Sequence, residues 1–169
     1  AIWYYLGDPN GFKQTSYWTR TGIGIKKYVH PDDISNTTVT AYDQSRMTNK
    51  VDPAIRYAEV LLIYAEALNE LTSGQTYNIP SWNESTTYII SRNIDEMKKG
   101  IQPIRIRAGI PDYENDIYQD ANKFRIKLKR ERQIELMGEG HRYYDLRRWK
   151  DAPVEEALPI YGCNTLMTE

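Results

Sequence analysis

The stretch at residues 129–149, KRERQIELMGEGHRYYDLRRW, constrains the fold of this chain more than any other. Read at about 100° per residue, Glu131, Arg132, Glu135 and Glu139 fall in the same helical sector as apolar residues of the preceding turns. Burying any of these charges without a partner would cost several kcal/mol of folding free energy. We therefore predict a helix whose carboxylates are held by arginines inside the protein.

The spacing within this stretch also indicates pairs. Arg132 stands three residues before Glu135, and beyond a glycine break Arg142 stands three residues before Asp145. The residues that we predict to form structural ion pairs are Arg132, Glu135, Glu139, Arg142, Asp145 and Arg148. Because an arginine would lose its partner, we expect Glu135→Ala to destabilise the protein by roughly 2 to 4 kcal/mol and to leave ligand binding by the folded fraction unchanged.

Three further segments complete a pattern with the charged stretch. They are residues 55–70 (IRYAEVLLIYAEALNE), residues 104–111 (IRIRAGIP) and, more weakly, residues 21–28 (TGIGIKKY). In this order the four segments resemble the SusD/RagB family of outer-membrane nutrient-binding lipoproteins of Bacteroidetes. Members of that family are several hundred residues long. The resemblance therefore implies that these 169 residues are a C-terminal-half piece of such a chain.

Charge and cysteine content exclude several classes of partner. The 22 basic and 23 acidic residues leave a net charge of -1, which gives no electrostatic reason to expect nucleic acid or an anionic membrane surface as a partner. The single cysteine, Cys163, excludes an internal disulfide framework. By resemblance, membrane contact is expected through an N-terminal lipid anchor that is absent from this chain, and the location is the surface-exposed side of the outer membrane.

The pattern of breakers and apolar residues predicts mostly helices. Asp52 and Pro53 indicate a helix start, and the first helix is expected to run to about Glu70. A loop at residues 71–83 precedes a second helix at residues 84–99. The remaining expectations are a connection at 100–111, where Pro103 disfavours a continuous helix, a third helix at 115–137 and a fourth at 141–149.

The resulting prediction for the fold class is all-α. We expect tetratricopeptide-like antiparallel helix pairs with long loops and a few short extended segments, as the resemblance also implies. By length, residues 1–169 should form a single domain that is part of a longer chain. Within it we expect a loop-rich segment at 1–50, a helical core at 51–150 and an irregular tail at 151–169.

Signatures of catalysis are missing from the sequence. It contains no phosphate-binding glycine loop, no His-Glu-x-x-His and no Gly-x-Ser-x-Gly. Glu66 with Glu70 and Glu135 with Glu139 are carboxylate pairs that a glycosidase could use, but arginines at neighbouring helical positions favour structural ion pairing. We predict no catalytic residue, no metal site and no cofactor, and we expect no release of reducing ends from a bound polysaccharide.

Aromatic usage gives the clearest indication of a ligand. The chain has 14 Tyr and 4 Trp but 2 Phe, and rings with a polar tip suit surfaces that are half apolar and half wet, as a sugar requires. The residues predicted to bind ligand lie in segments without helical periodicity: Trp3, Tyr4, Tyr5, Tyr17, Trp18 and Trp82. We expect Trp18→Ala in the full-length protein to weaken binding by about tenfold or more without lowering the melting temperature. The rings predicted to lie in the core instead are those within helical blocks: Tyr57, Tyr64, Tyr143, Tyr144 and Trp149.

The resemblance implies a function without chemistry. A protein of this kind captures a polysaccharide or oligosaccharide, or less often a peptide, and passes it to a SusC-like TonB-dependent transporter in the outer membrane. Two alternatives remain open. A helical-repeat module for protein–protein interaction would carry an exposed apolar or Arg/Tyr-rich patch, and a glycan hydrolase would carry a solvent-open carboxylate pair flanked by aromatic rings.

Overall fold

The structure is a computed structural model that describes residues 53–159 and 161, residues 25 and 27, and the backbone of residues 2–3 and 23–24. The chain divides into two compact units. One comprises residues 53–143, and the other combines residues 1–52 with residues 144–169.

The described residues form six helices and two small antiparallel sheets. In chain order the elements are β1 (Ile2–Trp3), β2 (Ile23–Gly24), α1 (Tyr57–Glu70), β3 (Thr76–Pro80), β4 (Thr87–Ser91), α2 (Ile94–Arg107), α3 (Asn115–Gln119), α4 (Ala121–Glu135), α5 (His141–Arg148) and α6 (Ala152–Glu155). β1 pairs with β2, and β3 pairs with β4. Helices predominate, so the predicted all-α class with a few short extended segments is confirmed.

The core of residues 53–143 lies where α1 packs against α2 and α4. α1 supplies apolar side chains at a helical spacing of three to four residues, and α2 and α4 supply the facing ones. The largest fully buried side chains are Leu62, Leu68, Met97, Ile101, Tyr118, Phe124 and Leu128. Burial of these side chains is the main source of stability for this unit.

The start of α1 differs from the prediction, whereas its end agrees. The helix begins at Tyr57, and Arg56 before it has an extended backbone, with φ -107° and ψ 148°. Pro53 therefore does not open the helix, and Asp52 lies outside the described residues. The side chain of Arg56 is bound by Glu135 and Glu139 instead, and these contacts hold the backbone extended just before the helix.

A β-hairpin replaces part of the predicted loop and the start of the predicted second helix. β3 and β4 pair in register from Thr76 opposite Ser91 to Pro80 opposite Thr87. Thr, Tyr and Ile are enriched in both strands, and such residues favour a pleated surface. The prediction of a helix from residue 84 was wrong because this short strand segment was read as part of a helical run.

Helix α2 runs through Pro103, which the sequence suggested would interrupt it. Proline removes one intrahelical hydrogen bond, that to the carbonyl of Lys99. Both residues lie on the exposed side of α2, so water can satisfy that carbonyl. Met97, Ile101 and Ile104 on the opposite side are buried, and their packing holds the helix together across the lost bond.

Residues 104–111 (IRIRAGIP) form the last turn and the C-terminal cap of α2 and are not a separate turn. Gly109 has φ +69°, its N–H donates to the carbonyl of Ile106, and the N–H of Ile110 donates to the carbonyl of Arg105. These two bonds form a Schellman motif, which favours glycine because an L side chain strains this conformation. The motif directs Arg105 and Arg107, in the last turn of α2, towards α4.

The third predicted helix is divided in two. Asp120 interrupts it with an extended backbone and caps α4, accepting hydrogen bonds from the N–H groups of Asn122 and Lys123. These backbone bonds lower the pKa of the Asp120 carboxyl. The fourth predicted helix is present as α5. The break in the third helix was missed, although aspartate is a residue type preferred at helix N-caps.

Candidate ligand-binding surface

Trp82 stands at the tip of the β3–β4 hairpin with 95% of its surface exposed. The tip is ordered by Asn83, whose Oδ1 accepts hydrogen bonds from the hydroxyls of Ser81 and Ser85 at 2.9 and 2.7 Å. Glu84 has φ +57°, a left-handed conformation that completes the turn. The result is an indole held in solvent among hydroxyl and amide groups, which is a surface that a sugar ring can stack on.

A groove of about 960 Å³ runs along α1, α2 and β4. Its apolar lining includes Val60 and Ile89, and three tyrosines, Tyr57, Tyr64 and Tyr88, are also part of it. Tyr57 and Tyr88 are 75% and 55% exposed. A concave, mostly apolar surface with a few polar groups is the usual character of a ligand site.

The polar side of this groove is built around Glu96. The hydroxyl of Tyr64 donates to Glu96 Oε2 at 2.6 Å, and Lys99 pairs with the same carboxylate. The hydrogen bonds from Lys99 and Tyr64 lower the pKa of Glu96. Burial and the bond to Glu96 raise the pKa of Tyr64 to about 12. At neutral pH the groove therefore carries an ionised carboxylate beside a neutral phenol.

Replacing Tyr64 by phenylalanine should lower the free energy of unfolding by about 1 kcal/mol at pH 7, because a hydrogen bond to a charged acceptor is lost. The pKa of Glu96 is lowered in the folded state, so its contribution is present above the unfolded pKa and is lost as pH falls through the folded pKa. Urea titrations should therefore show that the free energies of unfolding of the parent and of Tyr64→Phe become equal at acidic pH. A Tyr57→Phe control, exposed and on the same helix, should match the parent, and a pH-independent deficit for Tyr64→Phe would contradict the assignment.

The predicted ion-pair residues meet partners on distant elements. Arg56, before α1, donates through Nε and Nη2 to both oxygens of Glu139 at 2.9 and 2.6 Å. Its Nη2 lies 2.9 Å from Glu135 Oε1. Arg107 of α2 also pairs with Glu135. The two glutamate side chains are about nine-tenths buried, at 12% and 11% exposure, and their bonds raise the pKa of Arg56.

A second set of contacts joins α2 and the loop after it to Glu131 of α4. Arg105 Nη1 and the hydroxyl of Tyr113 donate to the same oxygen of Glu131 at 2.8 and 2.7 Å. The Arg105 guanidinium lies 3.8 Å from the centre of the Tyr113 ring. Burial and this carboxylate raise the pKa of Tyr113. The sequence had singled out neither Arg105 nor Tyr113, although the arginines of IRIRAGIP provide the signal.

The remaining predicted charges lie as follows. Arg132 Nε is 3.9 Å from Glu66 of α1, and the Arg132 side chain is 4% exposed. Asp145 accepts from Arg148 at 2.8 Å. Arg142 also interacts with neighbouring residues. The predicted set is thus spread over several helices and both compact units.

Each carboxylate of the two pairs considered for glycosidase chemistry has an arginine beside it. Glu66 lies beside Arg132, and Glu70 accepts from Arg125 at 2.6 Å. Glu135 and Glu139 are both bound by Arg56. Among the residues that the structure describes, no group of three or more His, Cys, Asp or Glu side chains is arranged to hold a metal ion.

The aromatic predictions have mixed outcomes. Tyr4, Tyr5, Tyr17, Trp18 and the side chain of Trp3 lie outside the described residues, so their role stays a prediction. The expected burial of helical rings was wrong for three of them: Tyr57, Tyr143 and Tyr144 are 75%, 56% and 70% exposed. Tyr57, for example, precedes the buried Ala58 and so lies off the buried face of α1. Tyr64 and Trp149 are half-buried.

Tyr88 is a candidate that the sequence interpretation missed. It lies on β4 opposite Ile79, and these two rank among the exposed apolar side chains at 55% and 49% exposure. The β-branched and aromatic run Thr-Tyr-Ile-Ile favours a strand and could have identified it. None of the helices in the described part of the chain has the length and apolarity needed to cross a membrane.

Comparison with known proteins agrees with the segment pattern. The sequence model of the SusD family matches residues 2–168, which is nearly the whole chain. "SusD-like protein P2" of Formosa agariphila is 36% identical over 99 residues, which cover 57% of this chain. The match spans 16% of that relative's own length. No solved structure matches.

Proposed function

Since this chain belongs to the SusD family, we propose that it binds glycans without transforming them and delivers them to a SusC-like TonB-dependent transporter. Members of the family are non-catalytic nutrient-binding proteins and are typically associated with the outer membrane. The observation that carries the proposal is the family match over residues 2–168. The chain spans a small part of its relative's length, so delivery and transporter contact are proposals for the whole protein.

The described surface supports a binding role in two ways. Trp82 offers an exposed indole beside Ser81, Asn83 and Ser85, whose polar groups suit sugar hydroxyls. The carboxylates that a hydrolase would need are bound by arginines instead. A binding protein requires repeated weak contacts along a polymer. These contacts raise the effective concentration of the polymer at the transporter and so lengthen the time that the polymer stays there.

Trp82→Ala should weaken polysaccharide binding about five- to tenfold, because stacking on one aromatic ring contributes about 1 to 1.4 kcal/mol at the low end of comparable sites. A glycan array identifies the ligand, and affinity electrophoresis in gels containing it gives the dissociation constants. The melting temperature should stay unchanged, since the indole is 95% exposed.

Tyr161→Ala is the matched control, because Tyr161 is also highly exposed, at 84%, and lies neither on the hairpin nor in the groove. It should bind like the parent. Equal affinities for the parent and Trp82→Ala would remove Trp82 from the ligand site. Failure of the parent to bind any glycan on the array, or release of reducing ends from a bound polysaccharide, would overturn the proposed function.

A helical interaction module is a second candidate that one observation favours. Apolar side chains that line the groove are exposed, among them Val60 and Ile89 at 48% and 71%. Exposed apolar groups in one area are characteristic of protein–protein contact sites. Co-purification of a partner protein together with a negative glycan array would favour this candidate over glycan binding.

A further inference from the structure

Helix α1 has two apolar faces, and one of them is open to solvent at its start. Ala58 and Leu62 belong to the buried face. Tyr57, Val60 and Tyr64 are spaced three and four residues apart, which places them on a different stripe of the helix. All three line the groove along α1, α2 and β4. Tyr57 and Val60 are 75% and 48% exposed, so an aromatic and an aliphatic side chain are accessible side by side.

The β3–β4 hairpin contributes a wall of the same character. Ile90 of β4 packs against the core, and Tyr88 stands two residues earlier on the same face of the strand. Tyr88 and its cross-strand partner Ile79 are 55% and 49% exposed. They form the second residue pair from the tip that carries Trp82. The apolar face of the hairpin therefore continues past the core, along the groove and towards Trp82.

The polar groups of the groove are held in place by other residues. Glu96 accepts hydrogen bonds from Tyr64 and Lys99, and the side-chain amide of Gln102 donates to Asp112 Oδ2 at 3.1 Å. An ionised carboxylate has about four acceptor positions, so Glu96 can still accept from the hydroxyl of a ligand. Groups that are ordered before a ligand arrives lose little conformational entropy when it binds.

The charges of the groove balance one another. Asp95 and Glu96 supply two negative charges, and Lys98 and Lys99 supply two positive ones. Four charged residues among thirteen that line the groove disfavour a protein partner, because the centre of a protein–protein interface is depleted in charged residues. An uncharged sugar fits better, since its C–H face stacks on a tyrosine ring and its hydroxyls bond to both donors and acceptors.

The groove has room for several sugar rings. The part of α2 that lines it runs from Asp95 to Pro103, which corresponds to about 12 Å of helix. Its volume of about 960 Å³ lies near the upper end of the range for small-molecule sites. A single monosaccharide would leave most of this space to water, so the size favours an oligosaccharide.

We propose that this groove binds an uncharged oligosaccharide segment of the nutrient glycan. Tyr57 and Tyr88 each stack on the face of one sugar ring, and Glu96 accepts a hydrogen bond from a sugar hydroxyl. This inference rests on the proposed glycan-binding function and adds a second contact region to Trp82. Because Tyr88 and Trp82 belong to the same hairpin, one polysaccharide chain can occupy both regions and gain affinity from the two contacts together.

The test is isothermal titration calorimetry on the full-length protein at pH 7. The neutral probes are cellohexaose, maltohexaose, xylohexaose and mannohexaose, and the charged probe is hexagalacturonic acid. We expect the parent to bind at least one neutral probe and to bind hexagalacturonic acid at least about threefold more weakly than that probe. The reason is that a groove with balanced charges does not offset the cost of removing carboxylates from water.

Tyr57→Ala and Tyr88→Ala should each weaken binding of the preferred neutral hexasaccharide about five- to tenfold, because each removes one stacking ring. Tyr57→Phe and Tyr88→Phe keep the ring and should stay within about twofold of the parent. Tyr161→Ala is again the control, since it removes a highly exposed tyrosine that does not line the groove. Tyr57 is 75% exposed, so Tyr57→Ala should also keep the melting temperature of the parent.

Three outcomes would overturn the assignment. They are no binding of any neutral hexasaccharide, tighter binding of hexagalacturonic acid than of every neutral probe, and parental affinity in either Tyr57→Ala or Tyr88→Ala. If Trp82→Ala weakens glycan binding and the two tyrosine variants do not, this inference fails and the proposed function stands. Loss of a co-purifying protein in Tyr57→Ala, with unchanged hexasaccharide affinity, would assign the groove to protein contact instead. A protein that binds no glycan at all would fail both proposals.

Discussion

Arg56→Met should lower the free energy of unfolding by roughly 2 to 4 kcal/mol, because two nearly buried glutamates would lose the cation that they share. Arg56 donates to both oxygens of Glu139 and to Glu135, and its side chain is 21% exposed. Without it, two like charges would remain together near the end of α4, where the helix dipole also disfavours negative charge. Chemical denaturation measures the difference.

Arg125→Met is the control for this prediction. Arg125 pairs with Glu70 at 2.6 Å, but these side chains are 43% and 58% exposed, so its loss should cost less than about 1 kcal/mol. Neutralising the two carboxylates with Glu135→Gln and Glu139→Gln should restore part of the stability of Arg56→Met. A similar cost for Arg56→Met and Arg125→Met would show that the shared cation is not what stabilises this region.

The geometry also changes the expectation for Glu135→Ala. The sequence suggested roughly 2 to 4 kcal/mol, on the argument that an arginine would be left without a partner. Arg56 keeps Glu139 in that variant, and Arg107 is 56% exposed and can be solvated. We therefore expect a smaller loss than for Arg56→Met, and the same denaturation experiment ranks the two.

Helices that carry strong periodicity could be predicted from the sequence, whereas the partners of their charges could not. The charged stretch is helical as α4 and α5 because its apolar and charged residues repeat at helical spacing. Arg56, however, lies 79 residues before Glu135, and no local pattern joins two such positions. Pairs at i,i+3 are visible in sequence, as for Asp145 and Arg148, but long-range pairs depend on how the helices pack.

The hairpin and the tyrosines show a second limit of prediction from the sequence. A strand of five residues gives little periodicity, and its stability comes from a partner strand that the local sequence does not specify. Tyrosine content was taken as a sign of wet surfaces, yet Tyr118 is fully buried and donates to Asp112. Tyr113 likewise donates to Glu131. Part of the tyrosine content therefore serves hydrogen bonds inside the protein, while Trp82 remains exposed as a loop position would suggest.

Gly100→Val should lower the free energy of unfolding by roughly 1 to 3 kcal/mol, because α1 and α2 touch at this glycine. A Cβ at residue 100 would lie 2.7 Å from Ala65 Cβ and 2.8 Å from the carbonyl oxygen of Leu61. The carbonyl oxygen of Leu61 is part of the backbone of α1, and the Cβ of Ala65 is attached directly to it. Neither atom can move aside by a change of side-chain rotamer. The two helices would have to separate, which would loosen the packing of Leu62 and Ile101 in the core.

Gly100→Ala decides whether this close approach or intrinsic helix propensity dominates. Propensity alone would make alanine more stable than glycine within a helix by about 1 kcal/mol. The contacts at 2.7 and 2.8 Å oppose that gain, so we expect a net loss for Gly100→Ala that is smaller than the loss for Gly100→Val. Adding Ala65→Gly removes the Cβ on α1 and should recover part of the loss in the Gly100→Ala background. A Gly100→Ala variant more stable than the parent would mean that α1 and α2 can move apart at no cost, and the groove that they form with β4 would then be adjustable rather than fixed.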